Sequence, residues 1–96
     1  MLAAVFMGVA GVSDTKGLTE YNLDDADVKR AAMATGRRTI VLADETKIGR
    51  VALVTFAPIH SVDILITDAP ASHPGIRPIR EQDVDVLHTH SQEKEL

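Results

Sequence analysis

Short apolar runs separated by polar and glycine-bearing stretches set the rhythm of this chain. Ala3 to Gly8 is the first run, and Gly8, Gly11 and Gly17 then punctuate a turn-rich stretch. This opening predicts a buried strand entering a glycine turn. Further on, Val28, Ala31, Ala32 and Thr35 recur at spacings of three and four. That spacing predicts a helix whose narrow small-residue face lies on a sheet. Asp24 and Asp25 suit its cap and first turn, where carboxylates meet free N–H groups and the positive end of the helix dipole. Gly36, followed by Arg37 and Arg38, supplies its stop.

Thr39-Ile40-Val41-Leu42-Ala43 is a β-branched run without polar alternation, the pattern of a central strand covered on both faces. Asp44 to Gly49 forms a polar loop at its carboxyl end. Ala52 to Ala57 reads as a strand ended by Pro58, whose missing N–H belongs at an edge or terminus. Val62 to Thr67 is another buried strand, with Asp63 at its start as a turn or cap residue. Pro70 to Gly75 is a linker, Ile76 to Gln82 a short helix, and Val84, Val86 and His88 alternate as a final strand. The order strand, helix, strand, strand, strand, helix, strand predicts an α/β domain with a mostly parallel open sheet and flanking helices. It spans residues 1–88, and 89–96 form a polar tail.

Ninety-six residues suffice for one compact domain. Aromatic residues make up only 3% of the chain, so Ala, Val, Ile and Leu must build the core. The net charge of −4 works against the DNA phosphate backbone. Lys29, Arg30, Arg37 and Arg38 lie close in sequence but spread around a helix instead of forming a stripe. The absence of cysteine excludes disulfides, thiolate metal sites and cysteine nucleophiles, and fits a cytoplasmic protein. Met1 to Gly11 is apolar but lacks a basic leader and is too short to span a bilayer, so no membrane partner is expected.

In open α/β sheets, ligands bind outside the carboxyl ends of the strands. Gly8 to Thr19, Asp44 to Gly49 and Thr67-Asp68 all follow strands, and in a parallel sheet they converge on one rim. This places Lys47, Asp44, Asp68 and the backbone amides near Gly8 and Gly11 around one candidate pocket. A lysine with free amides suits a phosphate, and carboxylates accept hydrogen bonds from sugar hydroxyls. The same residues also read as an ordinary solvated loop, with Lys29 a surface lysine paired to Asp25 four residues earlier. His88 and His90 share a face of a strand, but two ligands are too few for a metal site. No serine has a Gly-x-Ser-x-Gly context, and no Walker or Rossmann glycine pattern occurs. Neither a catalytic residue nor a cofactor is implied.

Four segments in order carry a resemblance: Gly17-Leu18-Thr19; Val28-Lys29-Arg30-Ala31-Ala32-Met33; Val41 through Asp44-Glu45-Thr46-Lys47 to Arg50; and Val62-Asp63-Ile64-Leu65-Ile66-Thr67-Asp68. Together they resemble the C-terminal sensor domain of DeoR-family transcription regulators, over nearly the whole chain. The Asp44 to Lys47 segment also looks like ribose-5-phosphate isomerase, whose CoA-transferase-like fold that sensor shares. The resemblance implies a domain that binds a phosphorylated sugar effector and relays its presence to an N-terminal winged helix-turn-helix. It implies that Lys47 stands at the sugar-phosphate pocket with Asp44 beside it. Lys29 is then the lysine of the helix motif, and Gly8 and Gly11 line the same pocket.

The isomerase has a glutamate near the Lys29 position, so lysine there removes an acid–base candidate and argues against an enzyme. Thr46 and Ile48 stand where the family usually has serine and phenylalanine. Family members carry a DNA-binding region and the first strands of the sensor ahead of the point where this chain begins. On that comparison the chain is a fragment or a truncated reading frame, with a partial sensor fold and a partial pocket. It would contact DNA only through a helix-turn-helix that it lacks. A sheet without its neighbouring strands exposes an apolar edge, which predicts a homo-oligomer. Two other classes stay open: a sugar-phosphate isomerase-like enzyme, and an interaction domain that has lost ligand binding.

Overall fold

In the computed structural model, which describes residues 2–89, the parallel strands stand side by side in the order in which the chain makes them. They are β1 (Val5–Gly8), β4 (Thr39–Leu42), β6 (Ile64–Thr67) and β7 (Asp85–His88), in the order β1-β4-β6-β7. A second, antiparallel sheet has the order β2-β3-β5, built from β2 (Gly11–Ser13), β3 (Gly17–Glu20) and β5 (Val54–Ala57). Helix α1 (Leu23–Met33) connects β3 to β4, and α2 (Ile76–Arg80) connects β6 to β7. The expected α/β class with a parallel sheet and flanking helices is present.

The strand order decides where the core sits. Each crossover steps in the same direction across the sheet, and right-handed crossovers then carry every connection to the same face. Met7, Val41 and Leu65 point to that face and share one core with Ala26 of α1, Ile76 and Ile79 of α2, and Val12, Leu18 and Phe56 of the second sheet. The opposite face carries Phe6, Ile40, Leu42, Ile64, Ile66 and Leu87 in one register. Among these, Phe6 is 64% exposed, Leu42 46% and Leu87 53%. The reading of β4 as covered on both faces holds for Ile40, 9% exposed on this second face, and is corrected at Leu42, which the face leaves open at the carboxyl end of the strand.

The stretch read as turns contains the hairpin of β2 and β3, with Val12 opposite Leu18 and Ser13 opposite Gly17. All seven residues of these two strands are buried, so no polar alternation marks them. Gly17 has φ +72°, and a Cβ there would lie 2.1 Å from the Ala57 carbonyl oxygen, so both conformation and close packing require glycine. β5 pairs antiparallel with β3 and therefore leaves the parallel sheet that the order of elements had implied.

The α1 cap is Asn22, whose Oδ1 accepts the Asp25 N–H at 2.8 Å; Asp24 and Asp25 occupy the first turn. The buried side of α1 also differs from the expected one. Ala26 is fully buried and Ala32 and Met33 pack against the core, whereas Val28 is 68% exposed and Ala31 is exposed. The helix ends at Met33, and the Gly36 N–H bonds the Met33 carbonyl at 3.4 Å. Gly36 is not among the glycines with positive φ. Its missing side chain instead leaves room for Val5, whose Cγ2 lies 2.6 Å from where a Cβ would stand. No helix among the described residues is long and apolar enough to cross a membrane. The tail expected from 89 onward falls, after Thr89, outside the described residues.

Candidate functional site

Parallel pairing brings the carboxyl ends of the four strands to one rim, with Gly8 opposite Leu42, Leu42 opposite Ile66 and Thr67 opposite His88. Gly8, Asp44 and Asp68 therefore stand at the ends of neighbouring strands. Between them, Glu45–Lys47 forms a 3-10 turn held by both aspartates. Asp68 Oδ1 accepts the Glu45 N–H at 2.7 Å, and Asp44 Oδ1 accepts the Thr46 N–H at 2.9 Å together with the Thr46 hydroxyl.

The Thr46 hydroxyl is the largest influence on Asp44, and with the Thr46 N–H and the Lys47 charge it holds the carboxyl below the usual aspartate range, against an opposing effect of desolvation. The two aspartates fix the turn that carries Lys47, and their remaining lone pairs can accept hydroxyl hydrogens. Lys47 is half-buried, and its ammonium makes no ion pair among the described residues.

Lys29 reaches the rim from α1. Its Nζ donates to the Gly8 carbonyl at 2.7 Å and pairs with Glu20 Oε2 at 2.5 Å. Asp25, the partner expected from helical spacing, instead bonds Asn22. Glu20 lies at the end of β3 with a side chain only 6% exposed, and its Oε2 also accepts the Ala10 N–H at 3.0 Å. No local pattern marks Glu20 in the sequence, because its partners lie nine and ten residues away in other elements.

The two candidate glycines separate. Gly8 is exposed, with nothing closer than 3.8 Å to a Cβ built on it. Gly11 is buried in β2, where a Cβ would stand 2.3 Å from the Arg50 carbonyl oxygen. It lets the segment after the 3-10 turn close over the second sheet, while Gly8 lies on the rim itself.

Two concavities lie away from this rim. One, of about 620 Å³, is lined by Lys16, Phe56, His60 and Gln82 among others, and one of about 290 Å³ is lined by Ile64, Arg80 and Val86. Neither includes Lys29, Asp44 or Lys47. His88 sits at 2.7 Å from the Ala69 carbonyl through Nδ1 and at 2.8 Å from Arg80 Nη2 through Nε2. Arginine can only donate and a carbonyl can only accept, so these partners assign the proton to Nδ1. His90, considered with it for metal binding, lies outside the described residues. Among the described residues no three His, Asp or Glu side chains converge as metal ligands.

The model of the DeoR C terminal sensor domain matches residues 2–69. The chain is 33% identical over 64 residues to the glycerol-3-phosphate regulon repressor of Escherichia coli, which covers 67% of this chain and 25% of the repressor. It is 36% identical over 62 residues to the HTH-type transcriptional repressor GlcR of Bacillus subtilis, covering 65% of this chain and 24% of that protein. With the deoxyribose operon repressor of Escherichia coli it shares 25% identity over 83 residues, 86% of this chain and 33% of the repressor. The chain thus spans a quarter to a third of the length of these relatives. The family match runs from before β1 to just past β6 and takes in Gly8, Lys29, Asp44, Lys47 and Asp68: the chain belongs to the DeoR C-terminal sensor domain family.

Proposed function

We propose that this chain is the effector-sensing part of a DeoR-type transcription regulator of sugar metabolism, and that it takes a phosphorylated sugar at the rim of its parallel sheet. The observation that supports the reading is strand adjacency: Gly8, with Lys29 on its carbonyl, ends β1, and the Asp44-capped turn that carries Lys47 follows the neighbouring β4. Lys47, without an ion-pair partner among the described residues, supplies charge for a phosphate. Asp44 and Asp68 accept sugar hydroxyls with the lone pairs not used on the turn. Gly8 leaves room on the rim, whereas the part of Gly11 is to let the Arg50 segment close. The names of the relatives support this class of ligand, since one repressor is named for glycerol-3-phosphate and another for the deoxyribose operon.

The same reading assigns DNA contact to a helix-turn-helix outside this chain. Net charge is −4, Lys29 is engaged with Glu20, and Arg30 is engaged with Asp27 at 2.9 Å. Sensing proceeds without turnover, in the cytoplasm. An isomerase would need a side chain that exchanges protons near neutral pH, and Asp44, held low by Thr46, is a poor one. A second copy of the chain covers the bare sheet face and the unpaired outer edge of β1, where Phe6 and Leu42 are exposed.

A thermal-shift series with phosphorylated sugars tests the reading, since a ligand that binds only the folded state raises the melting point by mass action. At least one such sugar raises it for the wild type and not for Lys47→Ala. A flat response across pentose, hexose and triose phosphates would leave the interaction-domain reading in its place.

A further inference from the structure

Glu20 is a charged side chain that the sensing scheme above does not use. It is 5% exposed, at the last position of β3. Burial of a carboxylate costs several kcal/mol unless donors replace the lost water. Here two donors do so, on one oxygen: Lys29 Nζ at 2.5 Å and the Ala10 N–H at 3.0 Å, the latter shared with the Thr19 carbonyl at 3.1 Å, both meet Glu20 Oε2. They come from different elements, the loop after β1 and helix α1, and Lys29 is fixed from behind by the Gly8 carbonyl at 2.7 Å. An ammonium and a backbone amide converging on one anionic oxygen form the donor arrangement that takes an oxygen of a phosphate or carboxylate ligand. It lies beside Gly8, on the rim where ligands of open α/β sheets bind.

We propose that Lys29 and the Ala10 amide form an oxyanion subsite and that Glu20 is its built-in occupant. An anionic group of an effector gains these donors only by displacing the Glu20 carboxylate. This rests on the rim being the effector site. A phosphate monoester, near two negative charges at neutral pH, competes with the single charge of Glu20 better than a carboxylate ligand does. Tyr21 and Asn22 alone separate Glu20 from α1, whose cap is Asn22. Exchange of one anion for another is thereby transmitted to the start of the helix.

The test uses the whole 96-residue chain and inorganic phosphate as probe, with sodium chloride at matched ionic strength as control. Glu20→Ala empties the subsite, and its melting point rises with phosphate along a saturating curve by several degrees. Glu20→Ala combined with Lys29→Met gives a flat response. The wild type needs at least tenfold more phosphate for the same rise. Where Glu20→Ala is unfolded without phosphate, recovery of its circular dichroism on adding phosphate carries the same conclusion. A Glu20→Ala protein that neither shifts nor refolds with phosphate overturns the subsite.

The sugar-phosphate series on the wild type and Lys47→Ala separates the two claims. Stabilisation there with no phosphate response in Glu20→Ala removes only the occupant. A phosphate response in Glu20→Ala with no sugar phosphate bound by the wild type removes the sensing reading.

Discussion

The Asp63 carboxylate accepts the Thr39 N–H at 2.7 Å while the Asp63 N–H donates to the Thr39 carbonyl at 2.9 Å. This reciprocal pair ties the amino end of β4 to that of β6. The Asp63 carbonyl extends the tie to β7 through the Asp85 N–H at 3.1 Å. Three strands are thus fixed at the end opposite the rim, which keeps their carboxyl ends in register. Thr39 is buried and Asp63 exposed, so removing the carboxylate leaves the Thr39 N–H without its protein acceptor and dependent on water entering from the surface. Asp63→Ala lowers stability by about 1–3 kcal/mol, read as a shift of the urea midpoint, and Asp63→Asn costs less because its amide oxygen still accepts.

Much of this arrangement is legible in the sequence where the determinants are local. β4 and β6 are visible because each concentrates β-branched residues in one run, and the rim follows because Asp44 and Asp68 come directly after those runs. The bare sheet face is not visible there. Leu42 has the same apolar character as Val41, and only the order of the strands decides which of them faces the core. The side of α1 that is buried is equally hidden, since Ala26, Ala31 and Ala32 give nearly the same signal and packing on β5 chooses among them. The β2–β3 hairpin lacks alternation because both of its faces are buried. The pairing of Glu20 with Lys29 depends on the hairpin bringing β3 beside α1, and no spacing rule contains it.

Lys29→Met leaves the buried Glu20 carboxylate with only the Ala10 N–H. Removing one partner of a buried pair costs about 3–5 kcal/mol, and the 28% exposure of the Lys29 side chain screens part of that. The expected loss is about 2–3 kcal/mol by equilibrium unfolding. Adding Glu20→Gln to Lys29→Met recovers part of it, because a neutral amide tolerates the site better than an unpaired charge. Equal stability of Lys29→Met and the wild type would remove the pair as a structural element.

The Asp44 carboxyl titrates below the ordinary aspartate value of about 3.9, since the Thr46 hydroxyl bonds its charged form. A folded-state value below the unfolded one contributes stability that is complete above the unfolded value and is lost as pH falls through the folded value. The 3-10 turn therefore keeps its geometry at neutral pH and loosens only below about pH 4. Carboxyl carbon chemical shifts followed against pH give the midpoint. Thr46→Val moves it upward, toward the ordinary value.

Phe6, Leu42 and Leu87 make an apolar patch on the bare face that water does not favour. At micromolar concentration, light scattering coupled to size exclusion gives a mass of at least two chains. Phe6→Lys with Leu42→Lys shifts the mass to one chain and leaves circular dichroism unchanged, because neither side chain faces the core. A monomeric wild type would leave the patch uncovered and remove self-association from the account.

The most direct test of the effector rim is a backbone amide NMR titration of the wild-type chain with the phosphorylated sugar that stabilises it most. The account predicts saturating shifts at Gly8, at Glu45 through Lys47 and at Asp68, absent in Lys47→Ala. Shifts gathered instead at Lys16, Phe56 and His60, around the 620 Å³ concavity, would place the ligand elsewhere and contradict it.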